Sequence, residues 1–386
     1  MKLRKLLLVA VPVLALAALP LVLGFTPFDD DGEVHESERH SFTVETVAEG
    51  LGLPWGMAFL PDGRMLVTEK EGAIKVVSMD GTTTTLEGTP EVCFCGQGGM
   101  LDVELHPNFA TNRWVYLTYS HPIQDGDQQI SNTVLVRAKL SDDATRLTDM
   151  ETLFQAEEDT YTRRPHHYGS RIVFDAEGYV YFSIGDRGQQ DHAQDLSRPN
   201  GKLHRLHDDG RIPADNPFVN QADALPSIWT YGNRNPQGVA VHPDGSIWSN
   251  EHGPRGGDEL NHMRSGVNYG WPTITYGINY NGTPITDIVE KEGMEQPVHY
   301  WLPSIAVSGL AFYDGDAFSK WQGDALVVSL AKMELQRLDM HEGQVMHVEV
   351  VMNAGDRIRA IEVGPDGNVY LAMESDKIVR LVPAEA

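Results

Sequence analysis

Five short segments carry polar groups that a packed sheet does not need. His166-His167-Tyr168-Gly169-Ser170-Arg171 leads into a strand-like run. A neutral imidazole is a good general base near neutral pH, so a histidine here can take a proton from a hydroxyl; the same ring can also be a packed side chain, and Arg171 can simply pair with an acid. Tyr231-Gly232-Asn233-Arg234-Asn235-Pro236-Gln237-Gly238 is dense in donors ahead of another such run. It reads as a ligand loop or as a turn with Asn in left-handed geometry. Arg357-Ile358-Arg359 places two guanidinium groups on one side of a strand, because strand side chains alternate. Two parallel cationic forks suit an anionic ligand, or an exposed strand face paired with carboxylates. Gly253-Pro254-Arg255-Gly256-Gly257-Asp258-Glu259 combines free carbonyls with acids, an all-oxygen set that suits calcium, though not in EF-hand order. Cys95-Gly96-Gln97-Gly98-Gly99 flanks a glutamine with glycines, for close backbone approach to a ligand or for a plain turn.

These segments need a frame, and the chain builds one by repetition. An alternating apolar run, a Pro-Asp-Gly-type turn and a second alternating run recur six times. The turns are Pro61-Asp62-Gly63, His106-Pro107-Asn108-Phe109, Asp175-Ala176-Glu177-Gly178, Pro243-Asp244-Gly245, Asp314-Gly315 and Pro365-Asp366-Gly367. Each unit is a β-hairpin. Their regular recurrence predicts an all-β fold, a six-bladed β-propeller over residues 41–386. Segments 186–230 and 252–300 are too long for blade turns and are expected as long loops on one face, over the axis.

Lys and Arg total 30 against 55 Asp and Glu, a net charge of −25. That field repels polyanions, so nucleic acid is excluded as a main partner, and any anionic ligand requires a local basic clamp. Two cysteines cannot make a disulfide framework; Cys93 and Cys95 read as a local bridge, with metal binding, interchain pairing or a buried free pair as alternatives. Residues 1–24 begin Met1-Lys2-Leu3-Arg4-Lys5 and continue apolar to Gly24. They read as a signal peptide or an N-terminal membrane anchor, since about 19 apolar residues span a bilayer. Without that segment the net charge becomes −28, because Lys2, Arg4 and Lys5 leave with it. The folded part is expected in the periplasm or otherwise outside the cytoplasm, after a polar linker at 25–40.

Several motifs follow one another in a specific order. Gly-Gln-Gly-Gly at 96–99 precedes His-x-Gly-x-Arg at 167–171 and Ile-Gly-Asp-Arg-Gly at 184–188. Then come Gly-x-Arg-Asn-Pro-Gln-Gly at 232–238, Glu-x-Gly-Pro at 251–254, Asn-Tyr-Gly-Trp-Pro at 268–272 and Arg-x-Arg at 357–359. The ordered set resembles the soluble pyrroloquinoline-quinone (PQQ) dependent glucose and aldose sugar dehydrogenases over about residues 43–382. The resemblance implies a six-bladed propeller that oxidises aldose sugars at C1 to lactones, using PQQ and Ca2+ and an external electron acceptor. It implies His167 as catalytic base, and Gln97, Arg234, Asn235, Tyr280, Arg357 and Arg359 as cofactor contacts. It implies carbonyls of Gly253 and Pro254 on the calcium beside the quinone, Glu259 and the backbone oxygen of Tyr269 on a second, structural calcium, and Trp301 near the sugar. One departure stands out: Ala331 occupies the place where some members carry a lysine, which leaves the clamp a cation short. The short loops resemble the broad-specificity aldose branch, as a monomer or homodimer. Two rivals remain, a calcium-dependent propeller lactonase or esterase and a non-enzymatic binding propeller; Arg234, Arg357 and Arg359 argue against the first.

Overall fold

A computed structural model describes residues 32–384. Six antiparallel sheets stand around one axis, and the first strand of each contacts the first strands of its two neighbours in a closed ring. Blade one is Pro54–Phe59, Met65–Glu69, Ile74–Val77 and Thr83–Thr85. Blade two is Met100–Leu105, Trp114–Asp125, Gln128–Leu140 and Leu147–Phe154. Blade three is Ile172–Phe174, Val180–Ile184, Lys202–Leu206 and Ile228–Tyr231. Blade four is Pro236–Val241, Ile247–Glu251, Asp258–Met263 and His299–Trp301. Blade five is Val307–Phe312, Ala325–Ser329, Glu334–His341 and Gln344–Asn353. Blade six takes Ile358–Val363, Val369–Met373 and Lys377–Pro383 from the C-terminal end and Ser41–Ala48 from the other, in register Phe42↔Pro383 to Ala48↔Ile378. The two ends of the described chain thus share one sheet and clasp the ring shut.

Each of the six hairpins expected from the sequence is the inner pair of strands of one blade. In the three Pro-Asp-Gly turns the Asp carboxylate accepts the N–H two residues on, at 3.1, 2.8 and 3.1 Å from Arg64, Ser246 and Asn368. The following glycine sits at φ of 87°, 88° and 76°, which side chains resist. Apolar faces meet between blades: Phe42, Tyr313, Phe318, Trp321, Leu326 and Leu371 pack together where blade five meets blade six. Burying each such side chain is worth about 1.5–3 kcal/mol.

The long segments differ from expectation. Residues 186–230 contain the strands Lys202–Leu206 and Ile228–Tyr231, and 252–300 contains Asp258–Met263. Lys-Leu-His-Arg-Leu and Asp-Glu-Leu-Asn-His-Met hide their period because polar side chains are buried among the apolar ones: Lys202 Nζ, for one, donates to the carbonyls of His192, Ala193 and Asn200 at 2.6, 3.0 and 2.8 Å. The expected linker is also partly structured. His35–Glu36 pairs with Ser41–Phe42, and Arg39 ion-pairs with Asp339, because the polar residues find partners on blades five and six. The signal or anchor at 1–24 lies outside the described residues.

Antiparallel strands bring the links from strand two to three, and from one blade to the next, to the same face. Lys70, Gln97, His167, Asp186, Arg234, Gly253, Pro254, Arg357 and Glu374 all lie on such links. The segment 264–298 starts from the opposite face and returns to this one, where Arg255 bridges to Ile278. Cys93 and Cys95 are joined by a disulfide beside Gln97.

Candidate active site

The loop entering blade three is held in an unusual backbone path, with His167 at φ 60° and Gly169 at φ 65°. Three bonds fix it. His167 N–H donates to Gln97 Oε1 at 2.8 Å, Arg187 N–H donates to the His167 carbonyl at 3.3 Å, and Gly169 N–H donates to Asn235 Oδ1 at 3.1 Å. The His167 ring is 2.6 Å from Asp186 through Nδ1. Asp186 also accepts from Gly188 N–H at 2.7 Å and Trp271 Nε1–H at 2.8 Å. Burial alone would raise the Asp186 carboxyl, but the His167 bond and the Arg234 charge hold it below the usual range. An ionised Asp186 puts the ring proton on Nδ1, and Nε2 keeps its lone pair. Burial and the Arg234 guanidinium lower His167 to about 4, against the opposing pull of Asp186. The imidazole is therefore neutral at pH 7. It lines a cavity of about 430 Å³ with Gln97, Arg234, Pro254, Trp271 and Tyr280.

A second cavity of about 200 Å³ adjoins the first through Gln97. Arg357 and Arg359 reach into it and share the carboxylate of Glu374. Arg359 also donates to Gln237 Oε1 at 3.0 Å. Lys70 lines the same cavity, its Nζ 2.7 Å from the Gly96 carbonyl. Three cations thus face one carboxylate. The Nε2 of His252, on the cavity wall, is buried without a hydrogen-bond partner among the described residues.

Oxygen-rich positions flank these cavities. Gly253 N–H donates to Asp258 Oδ1 at 2.9 Å, while the carbonyls of Gly253 and Pro254 accept no hydrogen bond among the described residues. Glu259 lies beside Glu251, and both carboxyls are raised, Glu251 to about 7 by burial and Glu259 to about 8 by burial and the Glu251 charge. Asn261 Nδ2 reaches both, at 3.5 and 3.1 Å, and its Oδ1 is buried without a partner among the described residues. Two desolvated acids and an orphaned amide oxygen fit a cation better than they fit each other. Tyr269 N–H bonds the Tyr231 carbonyl at 2.8 Å, on the segment whose Asn233 donates to Glu251 at 2.9 Å.

The structure brings His167, Gln97, Arg234, Pro254 and Tyr280 to one cavity and Gln97, Arg357 and Arg359 to the next. Tyr280 is 74% exposed at the mouth. Asn235 is buried and lines neither cavity; it supports the His167 loop. Trp301 is a correction. It packs in the core between blades four and five and donates Nε1–H to Gln336 at 2.9 Å, away from either cavity. Strand alternation turns Tyr300 outward instead, where it stacks on Tyr276 with centroids 3.9 Å apart. Arg171 pairs with Asp102 at 2.6 Å, at the axial channel. Sequence reasoning assigned no role to Asp186, Trp271, Lys70, Glu251, His252 or Glu374. Asp186 and Trp271 lay inside quoted motifs; Lys70 and Glu374 had only their place just after a second strand.

A propeller with a histidine–carboxylate pair and a cationic pocket side by side over its axis defines a class, the β-propeller sugar dehydrogenases. The glucose/sorbosone dehydrogenase family model matches residues 51–380, and the chain belongs to that family. It is 41% identical over 348 residues to the aldose sugar dehydrogenase YliI of Escherichia coli K12, covering 88% of this chain and 92% of that protein. The crystal structure of the apo-form of the soluble E. coli aldose sugar dehydrogenase superposes with TM-score 0.84 at 40% identity, over 89% of this chain and all of the other. The PQQ-bound aldose sugar dehydrogenase of Streptomyces coelicolor gives 0.73 at 26% identity, over 88% and 98%.

Proposed function

We propose that this enzyme oxidises aldose sugars at C1 to lactones outside the cytoplasm, with PQQ and Ca2+ bound at the axial face and electrons leaving to an external acceptor. One observation carries the reading: a neutral histidine backed by a carboxylate adjoins a pocket with three cations and one acid. The chemistry PQQ supplies when bound is hydride acceptance at an ortho-quinone carbonyl, with Ca2+ as the Lewis acid beside it.

The residues fit that pair of groups. Arg357, Arg359 and Lys70 offer charge to carboxylates, and Gln97 stands between the two cavities. The carbonyls of Gly253 and Pro254 offer free oxygen to one cation, and Glu259, with the backbone oxygen of Tyr269, to a second. His167 Nε2 takes the proton of the anomeric hydroxyl, and Asp186 stabilises the imidazolium that forms. Burial, and after it the Arg234 charge, keep the resting imidazole neutral. The PQQ-bound relative supports the cofactor, and the basic then apolar residues 1–24 support export.

Absorbance titration of the apo-protein with PQQ and Ca2+, followed by dye-linked glucose oxidation, tests the reading. Saturable uptake and turnover are expected, and His167→Ala should keep the uptake and lose roughly 10²–10⁴ in rate. Absence of PQQ uptake by the native chain would sink it in favour of a lactonase or a binding propeller.

A further inference from the structure

Ala331 leaves the expected clamp without its lysine, yet the cationic cavity is not short of charge. Ala331 is exposed and lines neither cavity; its neighbour Leu330 does. From the other side of the pocket comes Lys70, in the link between the second and third strands of blade one. Its backbone is fixed twice, by its own N–H to the Leu53 carbonyl at 3.0 Å and by Met100 N–H to its carbonyl at 3.0 Å. Among the described residues the ammonium makes one neutral hydrogen bond, to Gly96 O, lies 5.7 Å from the centre of the Phe94 ring, and has no carboxylate within ion-pair distance. An ammonium has three donors, so two are free for a ligand. Holding such a cation half-buried beside two guanidinium groups costs energy that the Glu374 charge and the Phe94 ring offset in part, and that a further anion in the cavity would return. Burial and the Arg359 charge both push its titration downward, as expected of a cation awaiting its counter-charge.

We infer that Lys70 is a direct ligand of a PQQ carboxylate and supplies, from blade one, the cation that Ala331 does not supply from blade five. The inference rests on the cofactor reading above and names one residue of that site. Lys70 has a second role to be separated from this one, because its bond to Gly96 braces the loop of Gln97.

Lys70→Gln keeps a donor for Gly96 and removes the charge. The test compares dissociation constants of native and variant full chains, in calcium, for PQQ and for its uncharged trimethyl ester, by quenching of tryptophan fluorescence. Lys70→Gln should weaken PQQ by roughly 10- to 100-fold, the range for losing one charge-assisted contact, and change the ester by less than about threefold. Lys70→Arg should recover most of the loss. Equal weakening of both ligands, or no weakening of PQQ, overturns the assignment and leaves Lys70 as a loop brace. Failure of the native chain to bind PQQ overturns the cofactor reading itself. Unfolding temperatures of the variants show that the propeller is intact.

Discussion

Asp186→Asn changes one oxygen for an amide and leaves the shape of the site alone. The native carboxylate accepts from His167 Nδ1 at 2.6 Å, Gly188 N–H at 2.7 Å and Trp271 Nε1–H at 2.8 Å. An asparagine has one acceptor atom for these three donors. With its oxygen toward His167, its amide meets the Trp271 N–H head-on. Turned over, it satisfies Trp271 but donates to Nδ1, which moves the ring proton to Nε2 and removes the base. In both poses the negative charge that stabilises the imidazolium is gone. Loss of the charge from a hydrogen-bonded histidine pair, together with tautomer error, lowers kcat by roughly 10²–10⁴. Asp186 also raises the His167 pKa, so its removal shifts the acid limb of kcat/KM to lower pH while the plateau falls. PQQ affinity should fall far less than the rate, because Asp186 accepts from His167, Gly188 and Trp271, none of them a proposed cofactor contact. Steady-state dye reduction from about pH 3 to 9, beside a PQQ titration, measures all three. A plateau within about threefold of the native one, or a loss of PQQ binding as large as the loss of rate, would refute the positioning role.

His167 itself links stability to pH: its folded pKa of about 4 lies below the unfolded 6.5, so its contribution is complete above 6.5 and is lost as pH falls toward 4. Denaturant melts of His167→Gln should show a shallower decline over that window, by on the order of 3 kcal/mol. Calcium at a hundred times its dissociation constant should stabilise the native chain by about 2.7 kcal/mol, and Glu259→Gln should lose most of that gain. Without calcium Glu259→Gln should be no less stable than native, because burial and the Glu251 charge already disfavour ionisation of that carboxyl; thermal melts with and without chelator read both effects. Trp301→Phe should leave KM for sugars unchanged and cost about 1–3 kcal/mol in stability, since it orphans the buried Gln336 oxygen.

The frame was legible because turn chemistry and period-two alternation coincide in the inner two strands of every blade. Third strands such as Lys202–Leu206 escaped, since buried polar networks erase the apolar alternation on which the reading depends. His167, Arg357 and Arg359 stood out by residue type and by resemblance, and the structure places them on the walls of the two cavities. The partner of His167 was not, because Asp186 lies 19 positions away and only the meeting of loops brings the two together. Lys70 gave no local signal: a lysine after a strand is usually solvated, and its cavity exists only once blades one and six stand side by side. Trp301 shows the converse error. Side-chain alternation along His299–Trp301 points the indole into the core.

The number of acids in the cationic cavity is as informative as the number of bases. With no carboxylate, Arg357, Arg359 and Lys70 would converge unshielded, and their repulsion would push the links of blades one and six apart. With a matching set of acids the pocket would be neutral and indifferent to an anion. Glu374 alone bridges the two arginines and fixes their forks, and the three cations it faces still leave two positive charges over. That remainder sits inside a protein whose net charge is −25, so the long-range field opposes the approach of an anion while the local field favours it. Screening shortens the first far more than the second, because the pocket charges are partly buried and the surface charges are not. Under the proposed cofactor reading, the same arrangement would favour a compact polycarboxylate over nucleic acid and other large polyanions: a large polyanion meets the whole acidic surface, and a small one reaches the pocket.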